Sequence, residues 1–169
     1  MPATLDPALP DDVLDAAVQV LELAHDRELQ LATAESCTGG LLAALLTDMP
    51  GRSHVFERGF VVYSNDAKCD LLGIGRQKVD SCGAVSAEIA REMALGALRN
   101  SKADVALSIT GFAGPGGDGD EEGLVHFACA CRGGATRERE EHFGPIGRQG
   151  VRIAALRTAL EMFEEALKP

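Results

Sequence analysis

Apolar and polar positions alternate along the chain between helical and extended spacing. Val13, Leu14, Ala17, Val18, Leu21 and Ala24 recur on one helical face after Pro10, which predicts a helix from Asp11 or Asp12 to about Glu28. Leu29 to Ala34 is a short apolar run and reads as a buried strand. Leu41, Leu42, Leu45 and Leu46 return to helical spacing, and Met49-Pro50-Gly51 is a stop signal for that second helix. Val55 to Tyr63, rich in aromatic and β-branched residues, predicts a strand in which Gly59 marks a bulge or a close approach of backbone to a ligand. Ser64-Asn65-Asp66 reads as the cap of a short helix through Lys68 to Leu72, stopped at Gly73.

Ser86 is a suitable cap for a helix from about Ala87 to Arg99, with Ile89, Met93 and Ala97 inward. Asp104 to Thr110 is a β-branched, apolar strand. Gly123 to Arg132 and Thr136 to Phe143 predict two more strands, joined in a hairpin at Gly133-Gly134. A helix from Ile146 to Leu167 closes the chain, with Ile153, Leu156, Leu160, Phe163 and Leu167 inward. Helices alternating with strands, followed by a hairpin, predict an α/β fold: a three-layer α/β/α sandwich on a mixed sheet. With no repeat or linker in view, residues 1–169 read as a single domain, residues 1–10 forming a loosely ordered extension.

Composition narrows the classes. A hydrophobic content of 46% excludes a disordered chain, and no apolar run approaches the length of a bilayer span. The opening Met1-Pro2-Ala3-Thr4-Leu5-Asp6 lacks the basic-then-apolar order of a signal peptide, so a cytoplasmic location is expected. The net charge is −10, from 26 acidic against 16 basic residues, which disfavours a general nucleic-acid surface while leaving room for a small anion on a local Arg. There is one Tyr and no Trp, too little for a base-stacking platform. Five cysteines without a C-x-x-C pair do not make a disulfide framework. Cys129 and Cys131 share a strand face and read as small buried residues rather than half a metal site.

The candidate chemistry gathers at Ala34-Glu35-Ser36-Cys37-Thr38-Gly39-Gly40, where a strand runs into a helix. Gly39 and Gly40 let backbone approach a ligand, and unpaired N–H groups with the positive end of the dipole suit an anion or an oxyanion. The plainer alternative is that Ser36 or Thr38 only caps the helix. A serine hydroxyl needs a base. None of His25, His54, His126 and His142 occupies an obvious turn beside a strand end, His54 coming nearest. A lysine serves if burial lowers its pKa. Lys68 lies one turn into the helix after the second strand and Tyr63 at that strand's end, so both converge on Ser36 if the strands are neighbours. The alternatives are a solvated lysine and a core tyrosine. Thr110 to Asp120 carries five glycines at a strand end, where α/β sheets bind ligands, but it is not a Walker loop.

Four stretches taken together resemble the C-terminal domain of the CinA (competence/damage-inducible) family. They are Ala34 to Gly40, Tyr63-Ser64-Asn65-Asp66-Ala67-Lys68, Gly83-Ala84-Val85-Ser86, and Thr110 to Gly117. The resemblance runs from about Asp11 to Leu167. It implies a PncC-type nicotinamide-nucleotide amidohydrolase, or NMN deamidase, a pyridine-nucleotide salvage enzyme of NAD metabolism. Such an enzyme hydrolyses the carboxamide of nicotinamide mononucleotide (NMN) to nicotinic acid mononucleotide and ammonia. By match to the family's motifs, Ser36 is the implied nucleophile, Lys68 its base, and Tyr63 and Thr110 supporting groups. The implied substrate-binding set is Thr38, Gly39, Gly40, Gly111, Gly114, Gly116, Gly117 and Arg148, although Arg148 reads equally as a surface helix residue. No metal or organic cofactor is implied. The expected partners are the small-molecule substrate, NMN or a related amide, and further copies of the chain in a homo-oligomer, with no nucleic acid or membrane.

Two departures from the family pattern stand out. Glu121-Glu122 replaces a Lys-Pro-like segment, and Arg58 occupies a common glycine position. The first motivates an alternative, a non-catalytic pyridine-nucleotide-binding or protein-interaction module. A third reading makes Cys37 the nucleophile in the same turn.

Overall fold

The structure, a computed structural model, describes residues 9–169. The expectation of a loose extension over residues 1–10 therefore lies, through residue 8, outside the described residues. The elements run α1 (Asp11–Asp26), β1 (Leu31–Glu35), α2 (Leu41–Leu46), β2 (Phe56–Val61), α3 (Asn65–Leu72) and α4 (Arg76–Cys82). They continue with α5 (Ala87–Arg99), β3 (Val105–Gly111), β4 (Leu124–Cys131), β5 (Thr136–His142) and α6 (Arg148–Leu167).

The five strands form one sheet in the order β2-β1-β3-β4-β5. β1 runs parallel to β2 and β3, while β3–β4 and β4–β5 are antiparallel, so the sheet is mixed. Because successive strand residues face opposite ways, the two faces differ in character. Leu31, Leu107, Ile109, Val125 and Phe127 pack against α1, α2 and α6. Ala32, Ala34, Ala106, Ala128 and Ala130 pack against α3, α4 and α5. The small residues of the second face let α5 lie close. Its Gly96 sits against α3 so tightly that a β-carbon there would stand 2.5 Å from the Leu72 carbonyl oxygen. The connection from β1 to β2 crosses the sheet one way and that from β2 to β3 the other. Right-handed crossovers then put α2 and the α3–α5 group on opposite faces, which gives the three layers.

Three local expectations are corrected. α2 ends at Leu46, short of Met49, and β2 ends at Val61, short of Tyr63. The helix α4 carries no apolar period, since among its residues only Val79 is buried, so nothing in the pattern announced it. Gly59 is explained by a helix: a β-carbon there would stand 3.2 Å from Ala43 Cβ of α2, and the register irregularity falls beside it at Glu57. The predicted caps hold, with Ser64 Oγ accepting the Ala67 amide at 3.0 Å and Ser86 Oγ the Ile89 amide at 3.2 Å.

This topology fixes where a site can form. The three parallel strands all end at the same edge of the sheet, and the return strand β4 begins there, Val125 pairing with Gly111.

Candidate functional site

Ser36 follows β1 at that edge, its amide bonded to the Ile109 carbonyl of β3 at 2.9 Å. The turn needs left-handed backbone at Gly39 (φ 59°) and Gly40 (φ 98°), a region that side-chain-bearing residues rarely adopt. Gly39 closes it by donating to the Ser36 carbonyl at 3.1 Å. Among the described residues, neither the Cys37 nor the Thr38 amide donates to a backbone carbonyl.

A buried carboxylate holds the turn from beneath. Glu35 Oε1 accepts the Thr38 hydroxyl at 2.6 Å and the Leu42 amide at 2.9 Å, and Oε2 accepts the Ala43 amide at 3.0 Å. Glu35 thus caps α2 from the preceding strand, with the helix dipole compensating its charge. The Thr38 hydroxyl is committed to this cap, so it is not a free substrate donor. From above, Arg152 of α6 donates through Nε to the Cys37 carbonyl at 2.9 Å.

Lys68 comes from the opposite layer. It is among the largest fully buried side chains, 1% exposed. Its Nζ stands 3.1 Å from Ser36 Oγ, 2.8 Å from the Val62 carbonyl oxygen and 3.3 Å from that of Tyr63. Val62 in turn donates to the Glu35 carbonyl at 2.9 Å, which ties the chain beyond β2 to β1. Burial pushes the Lys68 pKa down, nearby Cys37 and Cys69 opposing that only in part. Among the described residues no carboxylate pairs with it. Burial also pushes the Cys37 thiol up to about 11, so it stays protonated at neutral pH.

Tyr63 reaches this centre through its carbonyl alone, its side chain turned outward on a residue 68% exposed. Thr110 is buried at the end of β3 and donates its hydroxyl to the Ala84 carbonyl at 2.7 Å, which brings the 83–86 turn over the site. Gly111 is required by packing, since a β-carbon would stand 2.7 Å from the Leu124 carbonyl oxygen. Gly114 lies against the Arg148 guanidinium, 2.7 Å from an added β-carbon to Nη2. Gly116 and Gly117 fold around Asp120, whose carboxylate accepts the Gly117 amide at 2.8 Å. Arg148 and Arg152, one turn apart on α6, therefore approach the glycine loop and the serine turn respectively.

The remaining candidates lie elsewhere. His54 is at the far edge of the sheet, bonded to His25, and does not reach Ser36. Glu121 is drawn to His142 Nδ1 at 2.6 Å, and Arg58 donates to the Asn100 carbonyl at 2.8 Å. Two contributors were missed from the sequence. Glu35 is signalled only by an acidic residue one position before a turn, and Arg152 only by its i, i+4 spacing from Arg148.

Comparison with known proteins gives the family. A family model described as the CinA C-terminal domain matches residues 14–167. A CinA-like protein of Chlorobium limicola is 56% identical over 153 residues, 85% of this chain and 36% of its own length. Another, from Syntrophomonas wolfei, is 45% identical over 141 residues, 82% of this chain and 33% of its own. The chain thus spans about a third of the length of these curated relatives. The crystal structure of the competence/damage inducible protein CihA from Agrobacterium tumefaciens superposes with a TM-score of 0.90 at 46% identity, covering 94% of this chain and 97% of that one. A CinA superfamily protein of Escherichia coli gives 0.86 at 32% identity, covering 96% and 94%.

Proposed function

This chain belongs to the CinA C-terminal domain family, and we propose that its Ser36–Lys68 pair hydrolyses the carboxamide of NMN. The observation that carries the reading is the 3.1 Å approach of a buried lysine amine to a serine oxygen in a strand-to-helix turn. A neutral amine has two N–H groups and one lone pair. The Val62 and Tyr63 carbonyls accept the two N–H groups, which leaves the lone pair for the Ser36 hydroxyl. The same pocket disfavours an ammonium, because burial removes water and supplies no carboxylate.

In the reaction, Lys68 takes the Ser36 proton as Oγ forms a bond to the amide carbon. The carbonyl oxygen becomes an oxyanion, stabilised by N–H groups of the turn at about 3 kcal/mol per donor. The C–N bond then breaks, the proton on Lys68 passes to the departing nitrogen, and ammonia leaves. Water attacks the resulting ester, its proton taken by Lys68, and releases the pyridine carboxylate with Ser36 restored. Thr110 lines the nucleophile's neighbourhood, and Arg148 beside the glycine loop is suited to the substrate phosphate.

The test is ammonia release from NMN by the wild type, Ser36→Ala and Lys68→Ala, with folding followed by circular dichroism. Wild-type release and its loss in both folded variants support the proposal. Full turnover in both variants overturns the assigned roles. Tight calorimetric binding of NMN without ammonia replaces the enzyme with a binding module.

A further inference from the structure

Beside the glycine loop, two carboxylates meet one imidazole. His142, the last residue of β5, faces Glu121 of the loop through Nδ1 at 2.6 Å and Glu140 of its own strand through Nε2 at 2.7 Å. A neutral imidazole has one N–H, so its other nitrogen would turn a lone pair on a carboxylate oxygen. Only the imidazolium donates at both nitrogens, and both hydrogen bonds are then charge-assisted. The Glu121 bond first and the Glu140 bond second hold the His142 pKa above the ordinary 6.5. Other charges face this group. β4 presents His126, whose Nδ1 stands 3.8 Å from the second Glu140 oxygen. α5 presents Arg91, which is taken by Glu138 at 2.9 Å. Among the described residues, the neighbouring Asp118, Glu122 and Glu141 form no ion pair.

The loop has little else to hold it. Backbone ties it at its base: Phe112 donates to the Leu124 carbonyl at 2.9 Å, Gly123 to that of Phe112 at 2.8 Å, and Phe143 to that of Gly123 at 2.9 Å. Among the described residues, the Glu121 bond to His142 is the one side-chain hydrogen bond from residues 112–122 to another element. The Asp120 bond to the Gly117 amide stays within the loop. Gly114 of the same loop rests against the Arg148 guanidinium.

We propose that His142, as an imidazolium, is a positioning residue that pins the glycine loop to β5 and releases it on losing its proton. Because the folded pKa is the raised one, the clamp is complete below the ordinary histidine value and is lost as pH rises through the raised value. Release leaves Glu121 an unneutralised carboxylate on the loop that meets Arg148, where its charge opposes a phosphate. The consequence for catalysis rests on the NMN reading; the hold on the loop does not.

The experiment compares the full chain with His142→Ala, His142→Arg and Glu121→Gln at pH 6 and pH 9. Proton NMR, with the ring signals assigned by their loss in His142→Ala, should show His142 titrating above 6.5 in the wild type and lower in Glu121→Gln. Amide exchange of residues 112–122, corrected for the intrinsic effect of pH, should be about threefold or more faster at pH 9 than at pH 6 in the wild type. It should be fast at both values in His142→Ala and slow at both in His142→Arg, whose guanidinium keeps its charge. KM for NMN should follow the same pattern, while kcat follows Lys68. The proposal is overturned if wild-type loop exchange ignores the His142 titration, if His142→Ala matches the wild type at pH 6, or if His142→Arg loosens with pH as the wild type does. A wild type without NMN turnover would overturn the activity and leave the exchange result to judge the clamp.

Discussion

Thr38 donates a hydroxyl hydrogen bond to Glu35 at 2.6 Å, directly below the turn that carries Ser36. That carboxylate also accepts two amides of α2, so three donors depend on one buried group. Glu35→Gln sets an amide –NH₂ against those donors and removes the charge that answers the helix dipole. It should cost about 1–3 kcal/mol in urea unfolding. Because the cap orients the Ser36 turn, kcat for NMN should fall by about 10²-fold with little change in KM. Unchanged kcat in the folded variant would make the cap purely structural.

Lys68 should give the protein a distinctive pH dependence. Its pKa is lowered in the folded state from the ordinary 10.5. Below the lowered value both folded and unfolded chains carry the proton and the burial cost is fully present. Between the two values the unfolded chain binds more protons, so stability rises with pH across that window. Lys68→Met should flatten this slope and raise stability at neutral pH, read from urea midpoints at pH 7 and pH 9. Activity should rise with pH through the same folded value, since the neutral amine is the proposed base. Lys68→Arg should abolish turnover at every pH, because a guanidinium does not deprotonate.

Cys37, next to the proposed nucleophile, should be dispensable. Its thiol, pushed up to about 11 by burial, is not a thiolate at neutral pH. Cys37→Ala should keep turnover within about threefold, and iodoacetamide at pH 7 should leave activity intact. Inactivation by alkylation, together with loss of activity in Cys37→Ala, would move the nucleophile from Ser36 to Cys37.

Arg152 should matter through position rather than through charge alone. Its Nε holds the Cys37 carbonyl at 2.9 Å and its guanidinium lies over Gly39. Arg152→Ala should lower kcat/KM by about tenfold or more with the fold retained. Arg152→Lys should restore little, since an ammonium lacks the planar fork. Full rescue by lysine would show that only the charge is used.

Gly96→Ala opposes two effects of known size. Alanine favours a helix interior by about 1 kcal/mol. Here its β-carbon would stand 2.5 Å from the Leu72 backbone carbonyl, which no rotamer change can relieve. Overpacking should win, with a net loss of about 1–3 kcal/mol by thermal or urea unfolding. A gain in stability would show that α3 can withdraw from α5.

Much of the fold was legible because its signals are local. Ser64 and Ser86 cap helices through amides three residues on, within the same stretch of chain. Gly133-Gly134 joins two strands whose alternation is written on either side. The helix α4 was not legible, because it buries Val79 and little else, so no periodic stripe marks it. Tyr63 illustrates a different limit. Its place beside Lys68 follows from order along the chain, but the chain leaves β2 two residues earlier and meets Lys68 with a carbonyl while the ring points outward.

The amino-acid order alone determined the α/β layering, the serine at a glycine-opened helix start, the lysine in the first turn of the next helix and the glycine loop after β3. Each of these rests on propensity and spacing within a few residues. The tertiary structure decided which groups face one another: the Lys68 amine against Ser36, the Glu35 carboxylate under α2, Arg152 on the Cys37 carbonyl. These contacts depend on the parallel register of β1 with β2, on which face each crossover covers, and on the reach of long side chains across layers. None of that is encoded in a contiguous run of residues. It is fixed only when the small-residue face of the sheet and its bulky face are both buried at once.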